Sequence, residues 1–305
     1  MSANLRVGLA GLGRMGRPMA ANLAAAGLLA GVYNRTAGRA DGFAAEYGVD
    51  PFSTAAALAD AVDVFVTMVA DDAASADVYL GETGFVEATT PSSVALEMST
   101  VSVPHVKDLA GRLALAGSRL LDAPVSGSIA MATDGTLTLM VGGDAETLER
   151  VRPVLDALGA RVFHVGPVGT GAVMKLAVNT VVYGLNGALS EGLVLAERAG
   201  IERDRAYEVF ASSAVAAPFV HYRRALFERP GEGPVGITMT LAAKDLELIL
   251  ELAEVAAHAM PQAELNLDVL RRAIADGFGE DDVTAVAQML RRASEVTADV
   301  PASDG

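Results

Sequence analysis

Lys175 is the single charged residue of the apolar stretch "AVMKLAVNTVVYGL", and Asn179 follows it four positions later. In a helix these two residues share a face. An apolar sleeve strips water from the ammonium, which weakens its hold on the proton and brings it toward the range useful for proton transfer. The plain alternative is a solvated helical lysine. In "APVSGS", Ser126 and Gly127 offer a hydroxyl and a backbone N–H, the parts of a nest for a carboxylate. The alternative there is a strand-to-loop turn with no ligand. A third group lies in "VGLAGLGRMGRPMAANL", where Gly11, Gly13 and Gly16 are spaced Gly-x-Gly-x-x-Gly, with Arg14 and Met15 in the same turn. Glycines so placed between a strand and a helix admit a pyrophosphate close to the helix N-terminus, whose free N–H groups and dipole favour an anion.

The strand after that helix ends in "YNRT". A dinucleotide site for NAD usually puts an Asp or Glu there to take the ribose hydroxyls. Asn34, Arg35 and Thr36 offer no carboxylate to repel a 2′-phosphate, and Arg35 can pair with one while Thr36 and Arg39 add donors. The pattern therefore points to NADP(H) as the cofactor. The alternative for Arg35 is an ordinary solvated arginine.

These groups need elements to hold them. Up to about residue 165 short β-rich runs ("LRVGLAG", "AGVYNR", "VDVFVTMV", "SVALEMS", "RLLDAPV", "TLTLMVGG", "ARVFHVG") alternate with alanine-rich amphipathic stretches. That alternation predicts an α/β fold: a doubly wound Rossmann domain over residues 1–166, with an antiparallel segment or two at its edge. After "GPVGTGA" the period becomes helical, so residues 167–305 are expected to form an all-helical substrate and dimerisation domain. Its first helix, from about Gly171 to Ala199, spans about 40 Å at 1.5 Å per residue and is expected to connect the domains, with the active site between them. In "SSAVAAPFVHYRRALF", Phe219 is either a pocket-lining or a core residue, core being the commoner fate. The tail "ADVPASDG" reads as frayed.

Composition narrows the function. With 305 residues, 51% of them apolar, there is material for two cores. A formal charge of −15 argues against partners such as nucleic acid or an anionic membrane surface. No cysteine occurs, and His105, His164, His221 and His258 lack metal-ligand spacing, so no metal site is expected. No targeting signal is read in "AANLAAAGLLAGV", and Gly, Lys, Asn and Glu interrupt every apolar run long enough for a membrane helix. The expectation is a cytoplasmic enzyme.

Taken together, "GLGRMGRPMAANL", "DAPVSGS", "GTGAVMKLAVN" and "KDLELILELA" resemble, in order, the cofactor, substrate, catalytic-helix and C-terminal motifs of the β-hydroxyacid dehydrogenase family, whose members include 3-hydroxyisobutyrate dehydrogenase. The resemblance runs through nearly the whole chain. It implies Lys175 as proton donor in carbonyl reduction, Asn179 as the residue orienting the substrate, and Ser126, Gly127 and Ser128 as ligands of the acid end of a small aldehyde acid or β-hydroxy acid. It places Thr100, in "MSTVS", beside the nicotinamide and Lys244 near the cofactor. The alternatives are a helix cap for Thr100 and a solvated helix-start lysine for Lys244. It further implies a homodimer or homotetramer. Many members carry glycines where this chain has Ser128 and Met131, and consecutive asparagines where it has Val178 and Asn179. That form looks closer to the NADPH-dependent glyoxylate and succinic semialdehyde reductases. Val178 and Val182 replace the His and Glu of 6-phosphogluconate dehydrogenase, which disfavours decarboxylation. Two rivals are an imine reductase, which usually replaces the lysine, and a non-catalytic NADP-binding module.

Overall fold

The computed structural model describes residues 5–91 and 93–298. The tail from Asp299, read above as frayed, lies outside the described residues. The chain divides into two compact units, Met1–Leu176 and Ala177–Gly305.

The first unit is a sheet wrapped by helices. Its strands are β1 (Val7–Ala10), β2 (Leu29–Tyr33), β3 (Asp50–Phe52), β4 (Val64–Thr67), β5 (Val94–Glu97), β6 (Arg119–Asp122), β7 (Val125–Ser126), β8 (Leu137–Gly142) and β9 (Gly159–Gly166). They lie in the order β3-β2-β1-β4-β5-β6-β8-β7, with β9 on β8. From β3 to β6 every pairing is parallel; β8 then pairs antiparallel with both β6 and β7. Every residue of β1, β4 and β5 is buried, as strands covered on both faces require. Successive strands step outward from β1 to β3 and then from β4 to β6, so the order reverses between β1 and β4. A ligand crevice in such sheets opens beyond the strand ends at that reversal. The strand β3 escapes the sequence pattern, because three residues carrying Asp50 and Pro51 make only a short edge strand.

Helices α1 (Gly16–Ala25), α2 (Ala37–Tyr47), α3 (Ala55–Ala61), α4 (Asp72–Leu80) and α5 (Val103–Leu115) fill the crossovers of the parallel part. Three shorter ones, α6 (Ile129–Thr133), α7 (Ala145–Arg150) and α8 (Arg152–Leu158), serve its edge. Leu9, Met19, Leu23, Val32, Phe43 and Val66 are fully buried in one core on this unit.

Helix α9 (Thr170–Arg198) leaves the first unit and runs on into the second without a break. Its 29 residues are long and apolar enough to cross a membrane by length and composition alone, although Lys175, Asn179 and Glu191 interrupt it. After it come α10 (Arg203–Ser212), α11 (Pro218–Glu228), α12 (Met239–Val255), α13 (Pro261–Ala273) and α14 (Val286–Ala298). Leu189, Leu193, Tyr207, Phe219, Val220 and Phe227 form the core of this all-helical unit, so Phe219 is a core residue.

Candidate functional site

Two glycines of the first motif answer steric demands, and the one between them leaves space open. Gly11 has φ +102°, and a side chain there would overlap the carbonyl oxygen of Met68 at the end of β4. A Cβ at Gly16 would overlap the carbonyl oxygen of Gly11 itself, so the third glycine lets α1 close on the turn. Gly13 has open space where its Cβ would be. That is the division of labour a pyrophosphate site requires: a tight turn, an open approach, and close helix packing. The start of α1 carries no side-chain cap and no acidic residue in its first turn. Its orphan N–H groups and positive dipole end are thus left for an anion.

The end of β2 is tied to this turn. Gly11 N donates to Tyr33 O (2.9 Å), and Leu12 N donates to Asn34 Oδ1 (3.0 Å). The other end of the Asn34 amide donates to Thr36 O (3.0 Å), so Asn34 shapes the loop with both its polar atoms. Arg14, Arg35, Thr36 and Arg39 are exposed, and residues 34–36 include no carboxylate.

Ser126 ends β7, paired with Thr138 of β8, and is half-buried. Gly127 takes φ +151°, and a Cβ there would press on Leu137 and Met131. The Ser128 hydroxyl accepts from Met131 N (3.2 Å) as the cap of α6. Thr100 is not the cap of α5; Ser102 is, accepting from His105 N (3.1 Å). Three residues before Thr100, the buried Glu97 accepts from Ser75 Oγ (2.5 Å) and Ser99 N (2.8 Å), and Val69 N donates to Ser99 Oγ (2.9 Å). Burial pushes the Glu97 carboxyl above its ordinary range, against the pull of those donors. The loops after β4, which flanks the reversal, and after its neighbour β5 are thereby stitched together.

Lys175 is half-buried on α9 in the first unit. Asn179, one turn further along, is buried at 6% exposure. In the helical unit Asn179 Nδ2 donates to Asp245 Oδ2 (2.8 Å), which also accepts from Tyr183 OH (2.6 Å). Lys244 Nζ stands 2.8 Å from the other oxygen, Asp245 Oδ1, as an ion pair. Lys244 lies in the second turn of α12 with its side chain 22% exposed, so it is not a solvated helix-start lysine. Burial, then the charge of Asp245, raises the Tyr183 hydroxyl well above its ordinary range and keeps it a neutral donor.

Asp245 and Tyr183 were not among the candidates read from the sequence. A signal existed: Asp245 falls in the same helical stripe as Ala242, Leu246 and Ile249, all buried. A carboxylate in an apolar stripe needs partners. The partner sits 66 positions away in the case of Asn179, and spacing does not reveal it.

Residues 6–166 match the NAD-binding domain of 6-phosphogluconate dehydrogenase. Residues 169–290 match the family described as the NAD-binding part of NADP-dependent 3-hydroxyisobutyrate dehydrogenase. An NAD-dependent L-serine dehydrogenase from Pseudomonas aeruginosa is 33% identical over 293 residues, covering 93% of this chain and 97% of that protein. The chloroplastic glyoxylate/succinic semialdehyde reductase 2 of Arabidopsis thaliana is 31% identical, covering 94% of this chain and 80% of that protein. The crystal structure of a 3-hydroxyisobutyrate dehydrogenase from Salmonella typhimurium superposes with a TM-score of 0.84 at 27% identity, covering 93% of this chain and 99% of that one.

Proposed function

The chain belongs to the β-hydroxyacid dehydrogenase family, oxidoreductases with an NAD(P)-binding Rossmann domain, and from that premise we propose an NADPH-dependent reductase interconverting a small aldehyde acid and its β-hydroxy acid. The observation that carries this reading is the half-buried Lys175 in its apolar helix. One turn on, Asn179 is fixed by Asp245. Residues 1–166 take the cofactor role in this reading, and 167–305 the substrate and subunit contacts.

The residues fit a dinucleotide: Gly13 is open, the start of α1 is uncapped, and the β2 end carries exposed Arg35 rather than a carboxylate. Gly11, Gly13, Arg14 and Met15 would face the pyrophosphate, and Arg35 and Thr36 the 2′-phosphate. Asn34 holds that loop, and Thr100 and Lys244 would stand near the cofactor. When bound, the nicotinamide supplies the hydride. Ser126 and Gly127 hold the substrate carboxylate, with Ser128 keeping that loop in place as the α6 cap. Asn179 orients the substrate. Lys175 Nζ gives a proton to the carbonyl oxygen as negative charge grows on it, ending as a neutral amine; in the reverse direction it takes that proton back.

The relatives differ in both cofactor and substrate: one is named for NAD and L-serine, another for glyoxylate and succinic semialdehyde. All three compounds are short and carry a carboxylate, which supports the substrate class. The NADPH preference rests on this chain's own Arg35. Retention of Lys175 weighs against imine reduction and against a non-catalytic module. Assembly as a homodimer or homotetramer belongs to the same reading, supported by Val181 and Leu195 of α9, which are 70% and 72% exposed.

The test is oxidation of NADPH and NADH against glyoxylate, succinic semialdehyde, tartronate semialdehyde, methylmalonate semialdehyde and one cyclic imine. Turnover of an aldehyde acid with NADPH preferred is expected. Turnover of the imine alone, or silence across the panel with tight NADPH binding, overturns the reading.

A further inference from the structure

Helix α9 begins without a cap of its own. Val173 N donates to Gly169 O (3.1 Å), which makes Gly169 the N-cap position, and glycine has no side chain to accept from the first free N–H groups. The acceptor comes from 47 positions earlier: Asp122 Oδ1 takes Gly169 N, and Asp122 Oδ2 takes Ala172 N, each at 2.8 Å. Asp122 is 1% exposed, at the end of β6. Burial raises its carboxyl above the usual range, and the backbone N–H groups work against that rise. The positive end of α9 offsets part of the cost of a buried carboxylate.

The surroundings leave this carboxylate no slack. A Cβ at Gly142 would overlap Asp122 Oδ1, and a Cβ at Gly171 would overlap the Asp122 carbonyl oxygen. A slip of α9 by one residue would bring Thr170 or Ala172 to the place only Gly171 fits. It would also rotate the helix by about 100°. Lys175 stands one turn beyond Gly171, so the phase in which the helix starts is the phase in which the amine is presented.

We propose that Asp122 is a positioning residue for the proton donor, fixing the register and direction of the helix that presents Lys175 while the same segment, four residues on, presents Ser126. The proposal rests on the reading of Lys175 as the donor. It gives the first residue of "DAPVSGS" a task apart from substrate contact.

The experiment is a double-mutant cycle of Asp122→Asn and Lys175→Ala on the full chain, using the aldehyde acid of the panel with the highest kcat/KM. Asp122→Asn is expected to lower kcat by about ten- to a hundredfold, the cost of a small misplacement of a reacting group. The NADPH dissociation constant and the substrate KM should stay nearly constant. In the Lys175→Ala background the same change should cost less than about twofold, because its effect passes through the missing amine. An unchanged kcat in Asp122→Asn, or an equal factor with and without Lys175, overturns the proposal. Full activity of Lys175→Ala overturns the donor reading and this one with it, whereas loss in Lys175→Ala beside an unaffected Asp122→Asn overturns this one alone. Should Asp122→Asn not fold, Asp122→Ser removes the charge and one acceptor without adding bulk and enters the same cycle.

Discussion

Arg35 makes the sharpest claim for a single side chain. It is exposed at the end of β2, where no carboxylate stands at residues 34–36. Arg35→Asp should weaken NADPH binding by about tenfold or more, the scale of a lost charge-assisted contact, while NADH binding changes much less. Fluorescence titration with both cofactors measures this, and equal loss for the two removes Arg35 from the 2′-phosphate. Tyr183 supports a second prediction. Its hydroxyl, neutral because burial and Asp245 raise it, is one of two donors to Asp245 Oδ2. Tyr183→Phe should cost about 1–3 kcal/mol in urea unfolding, since a buried carboxylate loses a donor. It should also raise the substrate KM by loosening Asn179; an unchanged KM would detach that network from substrate binding. Lys175 and Asn179 stood out as candidates because a charge in an apolar run is conspicuous, and the fold gives them the half-buried and buried positions that such a run implies. Tyr183 and Asp245 were not singled out, because their contact joins residues 62 positions apart and only the fold brings them together.

At the scale of elements, glycines in helices separate into those that packing demands and those it does not. Gly16→Ala must push its methyl into the Gly11 carbonyl, so α1 cannot close on the turn. The expected result is loss of dinucleotide binding together with about 1–3 kcal/mol of stability, as for other overpacked sites. Gly111 in α5 is the control: it is exposed, with nothing near its would-be Cβ. Gly111→Ala should stabilise the fold by about 0.5–1 kcal/mol with cofactor affinity intact. Comparable effects of the two changes on binding would mean that the turn is not what the third glycine serves. The strands and the glycine turn were readable because their signals are local: apolar runs, a fixed spacing, a switch of period. The cap of α9 was not, since the sequence shows only that Gly169 has no side chain; the remedy sits on β6. The short β3 was missed for the opposite reason, its residues being poor strand formers recruited by β2.

For the molecule as a whole, the surplus of acid makes the placement of basic partners matter. Near the end of α9, Glu197 accepts from Arg203 Nε at the start of α10 (2.8 Å) and from Arg291 on α14 through Nε (2.7 Å) and Nη2 (2.6 Å). One carboxylate thus joins three helices of the second unit. Burial alone would raise its affinity for protons, but the two arginines outweigh burial and hold the carboxyl below its ordinary value of 4.5. The folded chain therefore binds that proton less readily than the unfolded chain does. Its contribution to stability is complete above about pH 4.5 and fades as pH falls through the lower, folded value. Glu197→Gln should cost about 1–3 kcal/mol at neutral pH, discounted from a fully buried pair because all three side chains keep some exposure. The gap between wild type and variant should shrink as chemical denaturation is repeated from pH 7 toward pH 3.5. Other carboxylates titrate in both proteins and cancel in the difference. A gap that stays constant across that range would show that Glu197 acts by packing alone; a gap that closes assigns the junction of α9, α10 and α14 to charge.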